Sequence, residues 1–348
     1  MHELGKLEDL PQGYRDDLTA TNLVPLWPSM RAVLPPRIPT RHTQVLNWSY
    51  ESVRPLLLQA GELTPMEKAE RRVLVLANPG HGLENMQATP SIYLGLQLIL
   101  PGETAPNHRH TPNAVRVIVE GEGAFTTVDG EPCRMERGDL ILTPAGKWHE
   151  HHHEGTGPIV WLDVLDLPLV YRLESSWAME GQLQQKRSER DKSFADYSAA
   201  GVVPNMGFQR GDSNSPMLRY PWAKTRTCLL EMASEYSEGL LSISYVNPEN
   251  GTPLFPSIGF GALMLRPGET ITLPKRTTPV VFHVVEGAGQ MSVVGHASAG
   301  AEPLDFINKD TLCAPGYTDI TLTNRSATEP AFLISADESP LHQYLGIF

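Results

Sequence analysis

Cysteine is scarce in this chain, and the three residues present, Cys133, Cys228 and Cys313, are widely scattered with no C-x-x-C pair. That spacing excludes a disulfide framework and suits a reducing compartment. Long apolar runs are missing too: none approaches the roughly 18 residues a membrane span needs. The opening segment MHELGKLEDLPQGYRDD lacks the basic, then apolar, then small-residue order of a signal peptide, so a cytoplasmic protein is expected. Positive charge is in deficit, with 28 Lys and Arg against 40 Asp and Glu and a net charge of −12. This balance argues against nucleic acid or an anionic membrane surface as partner. An anion bound by such a chain must meet local positive charge, either a metal or a buried arginine. At 348 residues, 41% of them apolar, the chain can bury the core of one large or two medium domains.

Histidine, by contrast, is concentrated. The segment Gly102 to His153 holds six of the twelve histidines. His108 and His110 are two apart in an extended stretch, which sets both imidazoles on one face of a strand. His149 follows the run GDLILTP, which alternates and then halts at Pro144 and Gly146, as a strand entering a turn does. An isolated His is more often a satisfied core or surface residue, and His151 to His153 can be read as a solvated polar run. The H-x-H pair, the spaced His149 and the flanking glycines together favour three imidazoles closing on one divalent metal. Imidazole-rich sites suit iron, copper, zinc or nickel, and open cis positions suit non-haem Fe(II) oxygen chemistry.

Around this segment the chain reads in blocks. Residues 1–90 form a helical arm and first strands, with LTPMEKAERR starting as a helix capped by Thr64 and strand character over 71–80. Residues 91–170 form a first barrel. SIYLGLQLIL places Ile92, Leu94, Leu96 and Leu98 on one face and Tyr93, Gly95 and Gln97 on the other, the pattern of a strand lining a cavity. VRVIVEGEG sets Arg116 opposite Val115, Val117 and Val119, and IVWLDVLDLPL sets Trp161, Asp163 and Leu165 on a common face. Residues 171–255 read as a partly helical linker, with a charged run QLQQKRSERDKSFADYS and a loop at GDSNSP. Over 256–348 the first barrel recurs: RPGETITLPKRTTPVVFHVVEGAGQMSVV aligns without gaps with LPGETAPNHRHTPNAVRVIVEGEGAFTTV, offset by 166 residues. A repeat this long means duplicated architecture. The second copy carries Pro274 and Arg276 where the first has His108 and His110, and Ile320 where it has His149. The shared positions belong to the fold and the exchanged ones to the metal, so the second barrel is expected to bind none.

These residues carry a resemblance. Gly102, five residues, then His108-x-His110 resembles the first cupin motif. Gly138, five residues, Pro144-x-Gly146, two residues and His149 resembles the second. The Glu that common cupins place four or five residues after the second His is replaced by Ala114 or Val115, and His153 stands where motif two usually ends in Asn. With Arg116 following, the phrase HRHTPNAVRVIVEGEG resembles the gentisate 1,2-dioxygenase family, and the likeness extends over most of the chain. The resemblance implies an all-β bicupin, two tandem antiparallel β-barrels of jelly-roll type. It further implies an oligomer, usually a homotetramer, with Fe(II) held by His108, His110 and His149, and a small aromatic acid and O2 as partners. The reaction implied is cleavage of gentisate to maleylpyruvate.

Arg116, on the cavity side, is a candidate to anchor the substrate carboxylate; its structural alternative is an ion pair with Asp163 or Glu120. Arg71 and Arg72 are adjacent, so strand alternation sends only one inward, and the resemblance favours Arg72. His151 shares the face of His149 and is a candidate acid or base, with Asp163 orienting it or an arginine. Tyr93, Gly95 and Gln97 are expected in the pocket wall, Gly95 leaving room for the substrate ring. Salicylate and 1-hydroxy-2-naphthoate dioxygenases are similar too. An isomerase on the same barrel and a non-catalytic small-molecule-binding cupin are the readings from other classes.

Overall fold

The computed structural model describes residues 3–181, 191–204, 215–295 and 302–348. Most of the charged run before Asp191, Gly211 to Asn214 of the expected loop, and most of the insertion around His296 lie outside these. The chain divides into two compact units, residues 1–42 and 43–348. In the smaller unit the helices Gln12–Ala20 and Met30–Val33 bury no side chain. Among the described residues no helix is long and apolar enough to cross a membrane.

The larger unit is two barrels, each a pair of facing antiparallel sheets. Its first strands are β1 Leu46–Trp48, β2 Val73–Val75, β3 Tyr93–Ile99, β4 Thr104–His110, β5 Ala114–Glu120, β6 Ala124–Val128, β7 Glu131–Met135 and β8 Leu140–Thr143. There follow β9 His149–His153, β10 Ile159–Leu165, β11 Ala178–Glu180, β12 Arg219–Tyr220, β13 Leu241–Ser244 and β14 Gly259–Leu265. The last are β15 Thr270–Thr272, β16 Val280–Glu286, β17 Ala288–Val294, β18 Leu304–Ile307, β19 Thr311–Ala314, β20 Asp319–Asn324 and β21 Ala331–Asp337. The first barrel pairs the sheet β12-β8-β5-β10-β3-β2 with β11-β4-β9-β6-β7, and the second pairs β1-β19-β16-β21-β14-β13 with β15-β20-β17-β18. Asp129 and Gly130, both at positive φ (47° and 83°), make the tight turn between β6 and β7, because that hairpin requires left-handed residues at its tip.

Side-chain alternation along the strands distributes the core. Leu94, Leu96 and Leu98, with Val115, Val117 and Val119, point away from the first barrel's interior. They meet Ala262, Met264, Val281 and Ile334 of the second barrel in one shared core. Burying that face fixes the register, since a slip of one residue would turn the leucines inward and Gln97 out. The second barrel's own apolar core holds Leu263, Phe282, Ile320, Leu322 and Leu333.

The duplicated unit begins earlier than the repeat legible in sequence. LNWSYESVRPLLL at 46–58 matches LRYPWAKTRTCLL at 218–230, offset by 172 residues, and each segment forms a short strand followed by a helix, Tyr50–Leu63 or Trp222–Glu235. The Tyr50 N–H donates to Asp310 and the Trp222 N–H to Asp139, both at 2.8 Å. Arg54 pairs with Glu120, and Arg226 with Glu286. Each copy lends its leading strand to the other barrel: β1 pairs with β19 and β12 with β8. The stretch read as a linker, 171–255, thus contains the second copy's opening strand and helix, and the 1–90 block contains an edge strand of the second barrel. Thr64 does not cap a helix as expected. It closes the helix ending at Leu63, and Pro65 with extended backbone precedes the four-residue helix Met66–Ala69.

Candidate active site

Three imidazoles converge between β4 and β9. His108 lies opposite His149 in the register of these strands, and His110 shares the His108 face. Ring centroids are 4.0 Å apart for His108–His149, 4.9 Å for His110–His149 and 5.4 Å for His108–His110. Each Nδ1 is tied to a carbonyl two residues away: His108 to Pro106 at 3.1 Å, His110 to Pro112 at 2.8 Å and His149 to Lys147 at 3.0 Å. Since a carbonyl only accepts, each Nδ1 carries the proton and each Nε2 presents its lone pair. The ligand atoms of the three lie within 4.8 Å of one another, and His149 Nε2 is buried with no hydrogen-bond partner. An orphaned acceptor at the meeting point of three oriented imidazoles fits a metal ion. Burial, reinforced by Arg71 and Arg116, pushes His108 down to about 2 and, together with the same arginines, His110 down to about 4; burial also holds His149 well below its ordinary range. All three stay in the neutral form that ligates a metal.

Beside the triad, β5 and β10 present a buried polar cluster. Arg116 faces Asp163 across the strand pair, with Nε 3.4 Å from Oδ1, and donates Nη1–H to Thr143 Oγ1 at 2.7 Å. The alternative pair with Glu120 is not formed; Glu120 is held by Arg54, Lys309 and Tyr50. Asp163 also accepts the Trp161 indole N–H at 3.0 Å. Burial pushes its carboxyl up to about 6, against the opposing pull of Arg116 and the indole. His151 is fully buried on the His149 face; its Nδ1 meets Thr126 Oγ1 at 3.0 Å and its Nε2 has no partner. It does not touch Asp163 through a hydrogen bond; its neighbours are Thr126 and the Trp161 ring, 4.8 Å away between centroids.

β3 supplies the adjoining wall. Tyr93, Gly95 and Gln97 lie opposite Leu165, Asp163 and Trp161 respectively, so they share the interior face. The Gln97 amide nitrogen is buried without a partner. Gly95 does not simply leave room for a substrate ring. A Cβ there would stand 2.6 Å from the Tyr93 hydroxyl and 2.6 Å from Val73 Cγ1, so the glycine's space is taken by the Tyr93 side chain lying across it.

The arginine pair resolves against the expectation. Arg72 is turned away from the triad: it pairs with Glu103, and its guanidinium lies against Gly61. The reason is register, because Val73 opposite Gln97 puts the interior face at odd positions and Arg72 on the other side. Arg71 is the residue whose charge acts on His108, His110, Arg116 and Asp163. Sequence reasoning also missed Thr126 and Thr143, whose roles depend on cross-strand register; the one available signal was the alternation that put Thr143 at the end of β8.

Comparison with known proteins is consistent with this geometry. Residues 95–165 match the cupin domain family. The chain is 60% identical to gentisate 1,2-dioxygenase from Ralstonia sp over all of its own length and 96% of that protein. It is 35% identical to gentisate 1,2 dioxygenase 1 from Aquipseudomonas alcaligenes, covering 95% of this chain and 93% of that one. Salicylate 1,2-dioxygenase from Pseudoaminobacter salicylatoxidans, solved as adducts with gentisate, superposes with a TM-score of 0.88 at 29% identity over 97% of this chain and 93% of that one. The chain belongs to the gentisate 1,2-dioxygenase family of cupin oxidoreductases.

Proposed function

We propose that this protein is an Fe(II)-dependent ring-cleaving dioxygenase that converts gentisate and O2 to maleylpyruvate. The observation that carries the reading is the convergence of three neutral imidazole Nε2 atoms beside two arginines, in a chain 60% identical to a gentisate 1,2-dioxygenase. His108, His110 and His149 are the proposed ligands. Bound there, iron would supply adjacent open positions for a chelating substrate and O2.

The chain's own residues have distinct tasks. Arg71 and Arg116 orient the substrate carboxylate, which an acidic protein can hold only through such local cations. Thr143 and Asp163 fix the Arg116 guanidinium. His151, whose buried Nε2 has no partner, takes the proton of the hydroxyl next to the carboxylate; Thr126 gives its own proton to Met135 Sδ, 3.5 Å away, and accepts His151 Nδ1–H. Gln97, with its free amide, and Tyr93 are placed to meet the second ring hydroxyl.

We further infer cytoplasmic residence, in keeping with the three free cysteines, and a homotetrameric assembly. Iron-loaded protein mixed with gentisate in air tests the function. Product absorbance should rise with one O2 consumed per gentisate. No product, or salicylate cleaved equally well, would reject it.

A further inference from the structure

We infer that Trp161 and Thr143 are positioning residues of the catalytic site: Trp161 sets Asp163 and His151, and Thr143 sets Arg116. The inference rests on the function proposed above. Trp161 is fully buried and borders an apolar cluster with Ile99, Ile118 and Ile141, so core packing is its plain reading. Its polar edge does something packing does not require. The indole N–H donates to Asp163 Oδ1 at 3.0 Å, while the ring lies 4.8 Å from the His151 ring at an interplanar angle of 39°. One rigid side chain therefore touches both the partner of Arg116 and the proposed base. Thr143 completes the frame by accepting Arg116 Nη1–H at 2.7 Å.

The second barrel is an internal control. Matching strand registers place Phe282 at the position of Arg116, Ala314 at Thr143, Leu333 at Trp161, Ser335 at Asp163 and Leu322 at His151. Every member of the cluster is replaced in the barrel that lacks the histidine triad, and most of the replacements join its apolar core. Residues the fold needs are kept at matching positions: Glu120 and Glu286 each hold an arginine, and Asp139 and Asp310 each cap a helix. Trp161 and Thr143 vary with the triad and not with the scaffold. A tryptophan required only to fill a barrel would have no reason to depart together with Arg116 and His151.

The physical consequence is directional. Without the indole donor, Asp163 leans more on Arg116 and draws the guanidinium out of line with the substrate carboxylate. Without the Thr143 hydroxyl, Arg116 loses its second tether. Both act through other residues, so the effect falls on substrate affinity and orientation while the metal site is spared.

The test uses full-length iron-loaded protein carrying Thr143→Val, Thr143→Ser, Trp161→Phe or Trp161→Leu. Steady-state kinetics, iron content, melting temperature and anaerobic gentisate binding by calorimetry are measured for each. Thr143→Val, isosteric but without the hydroxyl, should raise KM and the gentisate Kd about tenfold with kcat nearly kept, and Thr143→Ser should restore both. Trp161→Phe should lower kcat/KM about tenfold, and Trp161→Leu, the second barrel's residue, about a hundredfold, with iron retained. Wild-type affinity in Thr143→Val, a Thr143→Ser no better than the valine, or wild-type kinetics in Trp161→Phe would overturn the inference. A Trp161→Leu protein whose loss merely tracks lost iron or unfolding would return Trp161 to the core. Wild-type protein that neither binds nor cleaves gentisate would overturn the proposed function as well, whereas an active wild type with unaltered variants overturns this inference alone.

Discussion

Arg71 and Arg72 are adjacent in the chain, yet their charges serve opposite sides of the first barrel's wall. Arg72 is tied to Glu103, while Arg71 acts on His108, His110 and Asp163. The two substitutions should therefore separate. Arg71→Gln should lower kcat/KM for gentisate by a factor of about thirty or more with little change in melting temperature. Arg72→Gln removes the buried partner of a half-buried Glu103 and should cost about 1–3 kcal/mol of stability. Thermal melts beside kinetics decide it; an Arg72 variant that is stable but inactive would reverse the assignment.

Arg116 is the second anchor. Its truncation removes a charge-assisted contact to the substrate and should lower kcat/KM by at least about thirtyfold with the iron content unchanged. Since Asp163 would be left buried with only the indole hydrogen bond and the Arg71 charge to offset its own, a lower melting temperature should accompany the kinetic loss. Kinetics close to wild type would leave Arg116 as a structural partner of Asp163.

Metal analysis addresses the triad. Wild-type chain should hold one iron, and His110→Ala should lose it with the circular dichroism spectrum kept. Arg276, at the corresponding place in the second barrel, is paired with Asp337, so Arg276→Ala should leave the iron content alone and affect only stability or assembly. Two metals per chain, or iron undiminished in His110→Ala, would refute the ligand set.

Tyr93 lying across Gly95 makes a prediction about selectivity. A methyl group at Gly95 would meet both the Tyr93 hydroxyl and Val73 Cγ1 at 2.6 Å, so Gly95→Ala should displace the phenol and strain the contact between β2 and β3. Discrimination between gentisate and salicylate should fall in both Gly95→Ala and Tyr93→Phe, because a site that pairs a hydroxyl rejects the analogue lacking it. Comparing kcat/KM for both acids checks this. Unchanged ratios would remove Tyr93 from the recognition of the second hydroxyl.

Glu120 links the barrels, receiving Arg54 and Tyr50 from the helix after β1 and Lys309 from the turn before β19. Burial alone would raise its carboxyl, but those three donors outweigh it and hold it at about 2. The unfolded chain therefore takes up this proton first as the pH falls, and the stabilisation present above about pH 4.5 is lost on descending to about pH 2. The shift corresponds to about 3 kcal/mol at most, reduced by solvent screening because the carboxylate is partly exposed. Denaturant melts across that range should show a shallower acid limb in Glu120→Gln than in the wild type; parallel limbs would mean Glu120 contributes nothing.

By itself the sequence determined the alternation of β3, β5 and β10, the H-x-H pair with its distant third histidine, and the duplication that marks one barrel as bare of ligands. These are local or periodic properties, since a strand's period of two and a turn's glycines need no knowledge of partners. Tertiary structure alone decided which of two adjacent arginines enters the site, because that depends on Val73 meeting Gln97 across β2 and β3. It also decided that Gly95 makes way for Tyr93, that Thr126 and Thr143 hold His151 and Arg116, and that each copy of the repeat lends its first strand to the other barrel. Such relationships join residues far apart in the chain through hydrogen-bond register and burial, and a shift of one residue in either would rearrange them all without altering a single motif.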